Sequence, residues 1–141
     1  MANTFKVITF AAEPASAGTA YTMYTVAGST TTVVLGLILT NIHSSAVTAE
    51  VELVSDTGSR GGANNVTNGT SFLAKDVIIP AGSSLELLSG GKVVLETTDV
   101  IKIDCSVADK LSGTLSIMEI TYDELYWTGA GSSCYCSIRS C

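Results

Sequence analysis

Charge is scarce in this sequence. Asp, Glu, Lys and Arg make up 14% of the 141 residues, against roughly a quarter in an average globular chain. What charge there is leans acidic, to a formal net of −6. The cations Lys6, Arg60, Lys75, Lys92, Lys102, Lys110 and Arg139 stand singly, so there is no basic stripe to meet phosphate. An acidic chain of this kind repels nucleic acid and anionic membrane alike. Long apolar runs are missing too. The longest, Val33 to Leu39, is seven residues, too short to cross a bilayer as a helix. Met1 to Lys6 shows neither the basic nor the apolar region of a secretory leader. The expectation is a chain made in a cytosol and released, if at all, by another route such as lysis.

Catalytic side chains are equally sparse. The only histidine, His43, sits in Asn-Ile-His-Ser-Ser beside Ser44 and Ser45, and neighbours on a turn seldom present a nucleophile to a base. It reads as a surface-loop residue. The carboxylates are spread through turns and wet faces, with no close pair for acid–base work. Asp56, Asp99 and Asp104 do not follow a calcium-loop spacing. No phosphate loop, nucleotide fingerprint or zinc-protease motif occurs. The expectation is a protein that is not an enzyme, with no catalytic residue, cofactor or metal.

Four cysteines do not make a disulfide framework. Cys105 lies on the apolar side of a strand-like segment and reads as a small buried hydrophobe, while Cys134, Cys136 and Cys141 fall in the last eight residues. Cys-x-Cys is tighter than the usual zinc-binding pair. A disulfide within the tail or to a neighbouring subunit, free thiols, and a metal remain open for this cluster.

What the chain does have is β-branched residues: Val, Ile and Thr number 13, 10 and 18. These side chains fit a pleated surface and lose rotamer freedom in a helix. Strand-like segments follow at Phe5–Phe10, Tyr21–Val26, Thr30–Ile42, Val47–Val54, Thr70–Ile79, Leu85–Leu88, Lys92–Glu96, Val100–Cys105 and Leu111–Thr121. Thr30–Ile42 is apolar on both faces, as a strand buried on two sides would be, and Gly36 within it signals a bulge. Val47–Val54 alternates cleanly, with Thr48, Glu50 and Glu52 on a wet face. Pro80 to Ser83, Gly90-Gly91 and Thr97 to Asp99 mark turns. Ser55 to Gly69 is the one long, polar loop, and its two glycosylation-like triplets, at Asn65 and Asn68, are accidents of an Asn- and Thr-rich stretch. Short strands with turns every few residues and no helical period give an all-β fold. The expectation is a single β-sandwich over residues 1–121, with jelly-roll or immunoglobulin-like wiring.

After Thr121 the composition changes. Tyr122, Tyr126 and Trp127 crowd into six residues, a Gly/Ser spacer follows, and Tyr135 stands among the terminal thiols. Residues 122–141 read as a C-terminal arm outside the sandwich. Its candidate interface residues are Tyr122, Tyr126, Trp127 and Tyr135, since aromatics anchor protein interfaces at low entropic cost. The alternative is that these aromatics cap an open end of the sandwich.

Four segments occur in order: Thr31 to His43 with its Leu-x-Leu-x-Asn-Ile core, Ile79-Pro-Ala-Gly-Ser-Ser-Leu-Glu-Leu87, Asp99-Val-Ile-Lys102, and Ser116-Ile-Met-Glu-Ile120. In that order they resemble a group of small virion structural proteins of tailed bacteriophages, the cyanophage type above all, over about residues 1–121. The resemblance implies a non-enzymatic virion component, and no catalytic residues come with it. The first expectation is a capsid decoration (cement) protein on the outer surface of the particle, assembled in the host cytoplasm. It would contact the major capsid protein or other virion proteins and act as a homo-oligomer, with no nucleic-acid or membrane partner. The alternatives are a tail, baseplate or fibre-associated protein, and a carbohydrate-binding sandwich module for host attachment.

Overall fold

The computed structural model of the chain describes residues 2–55 and 69–122. Among these the regular elements are all strands: β1 (Ala2–Glu13), β2 (Tyr21–Thr25), β3 (Thr30–Asn41), β4 (Val47–Val54), β5 (Thr70–Ile79), β6 (Ser84–Leu87), β7 (Val93–Leu95), β8 (Val100–Cys105) and β9 (Leu111–Thr121). Four of the expected segments match residue for residue, and β1 is longer than expected at both ends. The chain is an all-β sandwich of two antiparallel sheets.

In sheet one the order is β1-β9-β3, and both β6 and β7 pair with the far edge of β3. β7 covers Thr32 to Val34 and β6 covers Leu37 to Thr40, so the two are successive pieces of one broken strand. In sheet two the order is β2-β8-β4-β5. Counting β6 and β7 as one, each sheet has four positions, and most consecutive strands alternate between sheets. This is jelly-roll wiring.

The core follows from period-2 alternation. Val34, Leu37 and Leu39 of β3 and Leu111, Leu115 and Ile117 of β9 point inward from sheet one. They meet Val47, Ala49 and Val51 of β4 and Ile101 and Ile103 of β8. The alternation slips once in β3, where the register shifts between Val34 and Gly36. That bulge lets Val34 and Leu37, three residues apart, both face the core. Gly82, at φ +66, closes the Pro80–Ser83 turn, with the Ser83 N–H donating to the Pro80 carbonyl at 3.1 Å. A positive φ at the third turn position is the type II signature that glycine meets without strain.

One expectation about β3 needs correcting. Its inward face is buried, but Ile38 is 42% exposed and Val33 and Leu35 are only half-buried. The strand is apolar on both faces, yet its own fold covers only one. Period-2 patterning reports which faces are apolar, not whether the same chain covers them.

Candidate functional site

The two outer faces of the sandwich differ in kind. Sheet two turns charge outward: Lys102 and Asp104 from β8, Glu50 and Glu52 from β4, Lys75 and Asp76 from β5. Lys75 pairs with Glu50 and lies over the Phe72 ring, 4.8 Å from its centroid. The hydrogen bond from Lys75 to Glu50 holds the ammonium pKa above its ordinary value. Exposed Phe72 and Ile78 also lie on this face, set among the charges.

A shallow pocket of about 210 Å³ opens on the same face, lined by Thr48, Glu50, Asp76, Asp104 and Ser106 among others. Its polar groups are already engaged by the fold. Asp104 Oδ1 accepts from the N–H of Gly18 at 3.1 Å and of Cys105 at 2.7 Å, and Ser106 Oγ accepts from Thr48 N–H at 3.0 Å. Among the described residues no group of three His, Cys, Asp or Glu side chains is placed to hold a metal.

Sheet one presents the opposite chemistry. Outward alternation on β1 gives Asn3, Phe5, Val7 and Thr9, and on β9 gives Ser112, Thr114, Ser116, Met118 and Ile120. β3 adds Thr31, Val33, Ile38 and Thr40, β6 adds Ser84 and Glu86, and β7 adds Val94. Glu86 is the one charged residue at these paired positions, and Lys92 reaches the rim, where its Nζ donates to the Leu35 carbonyl at 2.9 Å. The register builds an apolar row straight across four strands. Phe5 pairs with Met118, Met118 with Val33, and Val33 with Val94. Phe5, Val7 and Val94 are 72%, 64% and 60% exposed. Residues 2–7 of β1 are exposed on both faces apart from their ladder with β9.

The residues singled out from sequence fall as follows. Cys105 is buried with a free thiol. His43 lies in the β3–β4 loop, where its Nδ1 accepts from Ser45 N–H at 3.1 Å and its own N–H donates to Asn41 Oδ1 at 2.7 Å. Both bonds are structural. Buried Asp99 accepts from Ser55 Oγ at 2.7 Å and from Glu96 N–H at 2.9 Å. Five residues of strand, about 17 Å, separate it from Asp104. Tyr122 is 55% exposed, and its N–H donates to the Ser29 carbonyl at 3.1 Å as the ladder ends. Tyr126, Trp127, Tyr135, Cys134, Cys136 and Cys141 lie outside the described residues, as do Asp56 and most of the long loop.

Sequence reading missed Phe5, Val7, Val94 and Met118 as surface residues. Phe5, Val7 and Val94 lie on β1 and β7, where no local pattern marks them, and in β3 apolarity on both faces by itself reads as burial. No known protein family, curated protein or solved structure matches the chain.

Proposed function

We propose that this protein is a non-enzymatic virion structural protein. In this reading it is a capsid decoration (cement) protein of a tailed bacteriophage, acting as a homo-oligomer on the outer surface of the particle. The observation that carries it is the outer face of sheet one, with Glu86 as the one charge at its paired positions and an apolar row across it, on a sandwich that already has its own core. An exposed apolar row on the face of a sheet is a feature that association uses. The resemblance of the segment order to small phage virion proteins leans the same way. So does the jelly roll, an architecture that recurs in viral capsid domains, although a fold alone never fixes a function.

The mechanism is interface burial. A standard contact removes about 800 Å² per partner from water. Repeated over a symmetric shell, contacts that exist only in the closed state raise the cost of local opening by mass action. Such a role needs stiffness, and short turns with many β-branched side chains supply it.

The experiment is the copy number of this chain in purified particles. Hundreds of copies are expected for a protein that decorates the capsid. Tens or fewer would move it to the tail or baseplate, and absence from the particle would overturn the reading.

A further inference from the structure

We propose that the outer face of sheet one is the seat of a second copy of this chain. The two sandwiches would pack face to face about a two-fold axis parallel to the strands, running between β9 and β3. The inference rests on the assembly role proposed above and names its first partner.

Charge selects the face. Two copies of a chain with net charge −6 repel, and least so where carboxylates are fewest. Sheet two would set Glu50, Glu52, Asp76 and Asp104, offset only by Lys75 and Lys102, against a second face of the same net sign. Sheet one would bring only Glu86 to the meeting, at the β6 margin of the face.

Shape selects the axis. Across the row the side chains run large, large, small, small: Phe5, Met118, Val33, Val94. A two-fold axis parallel to the strands reverses that row in the facing copy. Phe5 then lies over the partner's Val94, and Met118 over the partner's Val33. Every contact pairs a large side chain with a small one, so the gap stays even across the interface. The same axis keeps the strands of the two faces aligned, which is the common way for sheets to stack at about 10 Å.

The area is sufficient. Three strands of about eleven residues and the shorter β6 and β7, at about 3.4 Å per residue and about 4.8 Å per strand, give a footprint of about 650 Å². That lies within the range of about 600–1,000 Å² per partner of a standard interface. A second copy also covers one exposed face of the first half of β1, which its own fold leaves bare.

Sedimentation of the full chain, with reductant present so that the terminal cysteines cannot cross-link copies, tests the proposal. Wild type is expected at twice the 14.5 kDa chain mass at micromolar concentration. Phe5→Lys and Val94→Glu should each raise the dimer dissociation constant at least tenfold. Both sites are exposed, so the circular-dichroism spectrum should stay that of wild type. Ile78→Glu, at a comparably exposed site on sheet two, should leave the dimer intact. The decisive arm mixes the first two variants. The geometry sets the ammonium introduced in one chain over the carboxylate introduced in the other, which should restore a mixed dimer.

A wild type that is monomeric at about 100 µM overturns the proposal. So do single variants that dimerise as tightly as wild type, or a mixture that stays monomeric. These readouts need no particle. A monomeric wild type that still enters particles removes the dimer and leaves the virion role standing, whereas a dimer absent from particles does the reverse.

Discussion

The ring of Phe10 lies over Gly113, its antiparallel partner on β9. A methyl group at residue 113 would run into that ring and approach Leu39 Cδ2 to 3.2 Å. Phe10 is itself held, edge-on to Tyr21 with ring centroids 5.5 Å apart, so it cannot swing aside freely. The bare backbone of Gly113 is thus the floor on which an inward aromatic of the edge strand rests.

Gly113→Ala is therefore expected to destabilise the domain by about 1–3 kcal/mol, the usual cost of overpacking a core. Urea unfolding checks this. In a Phe10→Leu background the same substitution should cost much less, because the two sites share one space. Equal costs in both backgrounds would show that the ring is not the obstacle.

Asn41 ends β3 with its side chain fully buried. Its Nδ2 donates to the carbonyls of Ser45 and Ile79, each at 2.9 Å, and of Pro80 at 3.1 Å. Its Oδ1 accepts from His43 N–H. One amide thus ties the β3–β4 loop to the turn after β5, across the open end of the sandwich. Asn41→Ala should cost about 2–3 kcal/mol, because buried backbone groups lose their partner. Asn41→Asp should be worse at neutral pH, since a carboxylate would face three carbonyl oxygens. A urea midpoint for Asn41→Asp equal to that of wild type would refute the clamp.

The clean alternation of Val47–Val54 made β4 and its wet face readable from the chain alone, and the turn at Pro80 and the bulge at Gly36 were equally legible. All three are local, set by two to eight consecutive residues. The apolar row on sheet one was not legible, because Phe5 meets Met118 only through a ladder between the two ends of the domain. Register between strands so far apart is a tertiary property, fixed by the closure of the whole sandwich. Asn41 escaped notice for a related reason: an asparagine after an apolar run signals a turn, and nothing local says that three carbonyls from two loops converge on it. The contrast between the two outer faces needed both the alternation and the strand order.

At the opposite end of the core, Tyr24 hydroxyl donates to Glu119 Oε1 at 2.9 Å and lies 2.7 Å from Thr32 Oγ. With its single proton given to the carboxylate, it accepts from Thr32. Lys6 Nζ meets Glu119 Oε2 at 2.5 Å. Burial, opposed by the Thr32 hydrogen bond and aided by Glu119, pushes the Tyr24 pKa up to about 12. The Lys6 hydrogen bond, against some desolvation, holds Glu119 below its ordinary value. Each shift gives a pH window.

For Tyr24 the folded value exceeds the unfolded one, so its contribution is whole below about pH 10 and is lost as pH rises towards 12. For Glu119 the folded value is the lower, so its contribution is present above the ordinary glutamate range and is lost as pH falls through the folded value. Melting temperature against pH should show both limbs. Tyr24→Phe should flatten the alkaline limb between about pH 10 and 12, and Lys6→Met should flatten the acid limb, because the folded Glu119 value returns towards the unfolded one. If neither variant changes its limb, the network does not couple to folding.

The described strands end with the β9 ladder. That ladder reaches Thr121, which pairs with both Ala2 and Thr30, and Tyr122 adds one bond to Ser29. Every core side chain named above lies before that point. A chain cut after Tyr122 should therefore keep its fold, with a melting temperature within a few degrees of wild type. If residues 123–141 work as a docking arm, the same cut should impair incorporation into particles. Replacing Tyr126 and Trp127 together should reproduce much of that loss, since an interface hot spot contributes about 2 kcal/mol or more. The measurement is a thermal melt of the cut chain alongside its copy number in particles, with Phe5→Lys carried in parallel. A large fall in melting temperature would place the tail within the fold. Unchanged incorporation would make the arm dispensable, leaving the faces and edges of the sandwich to carry the assembly contacts.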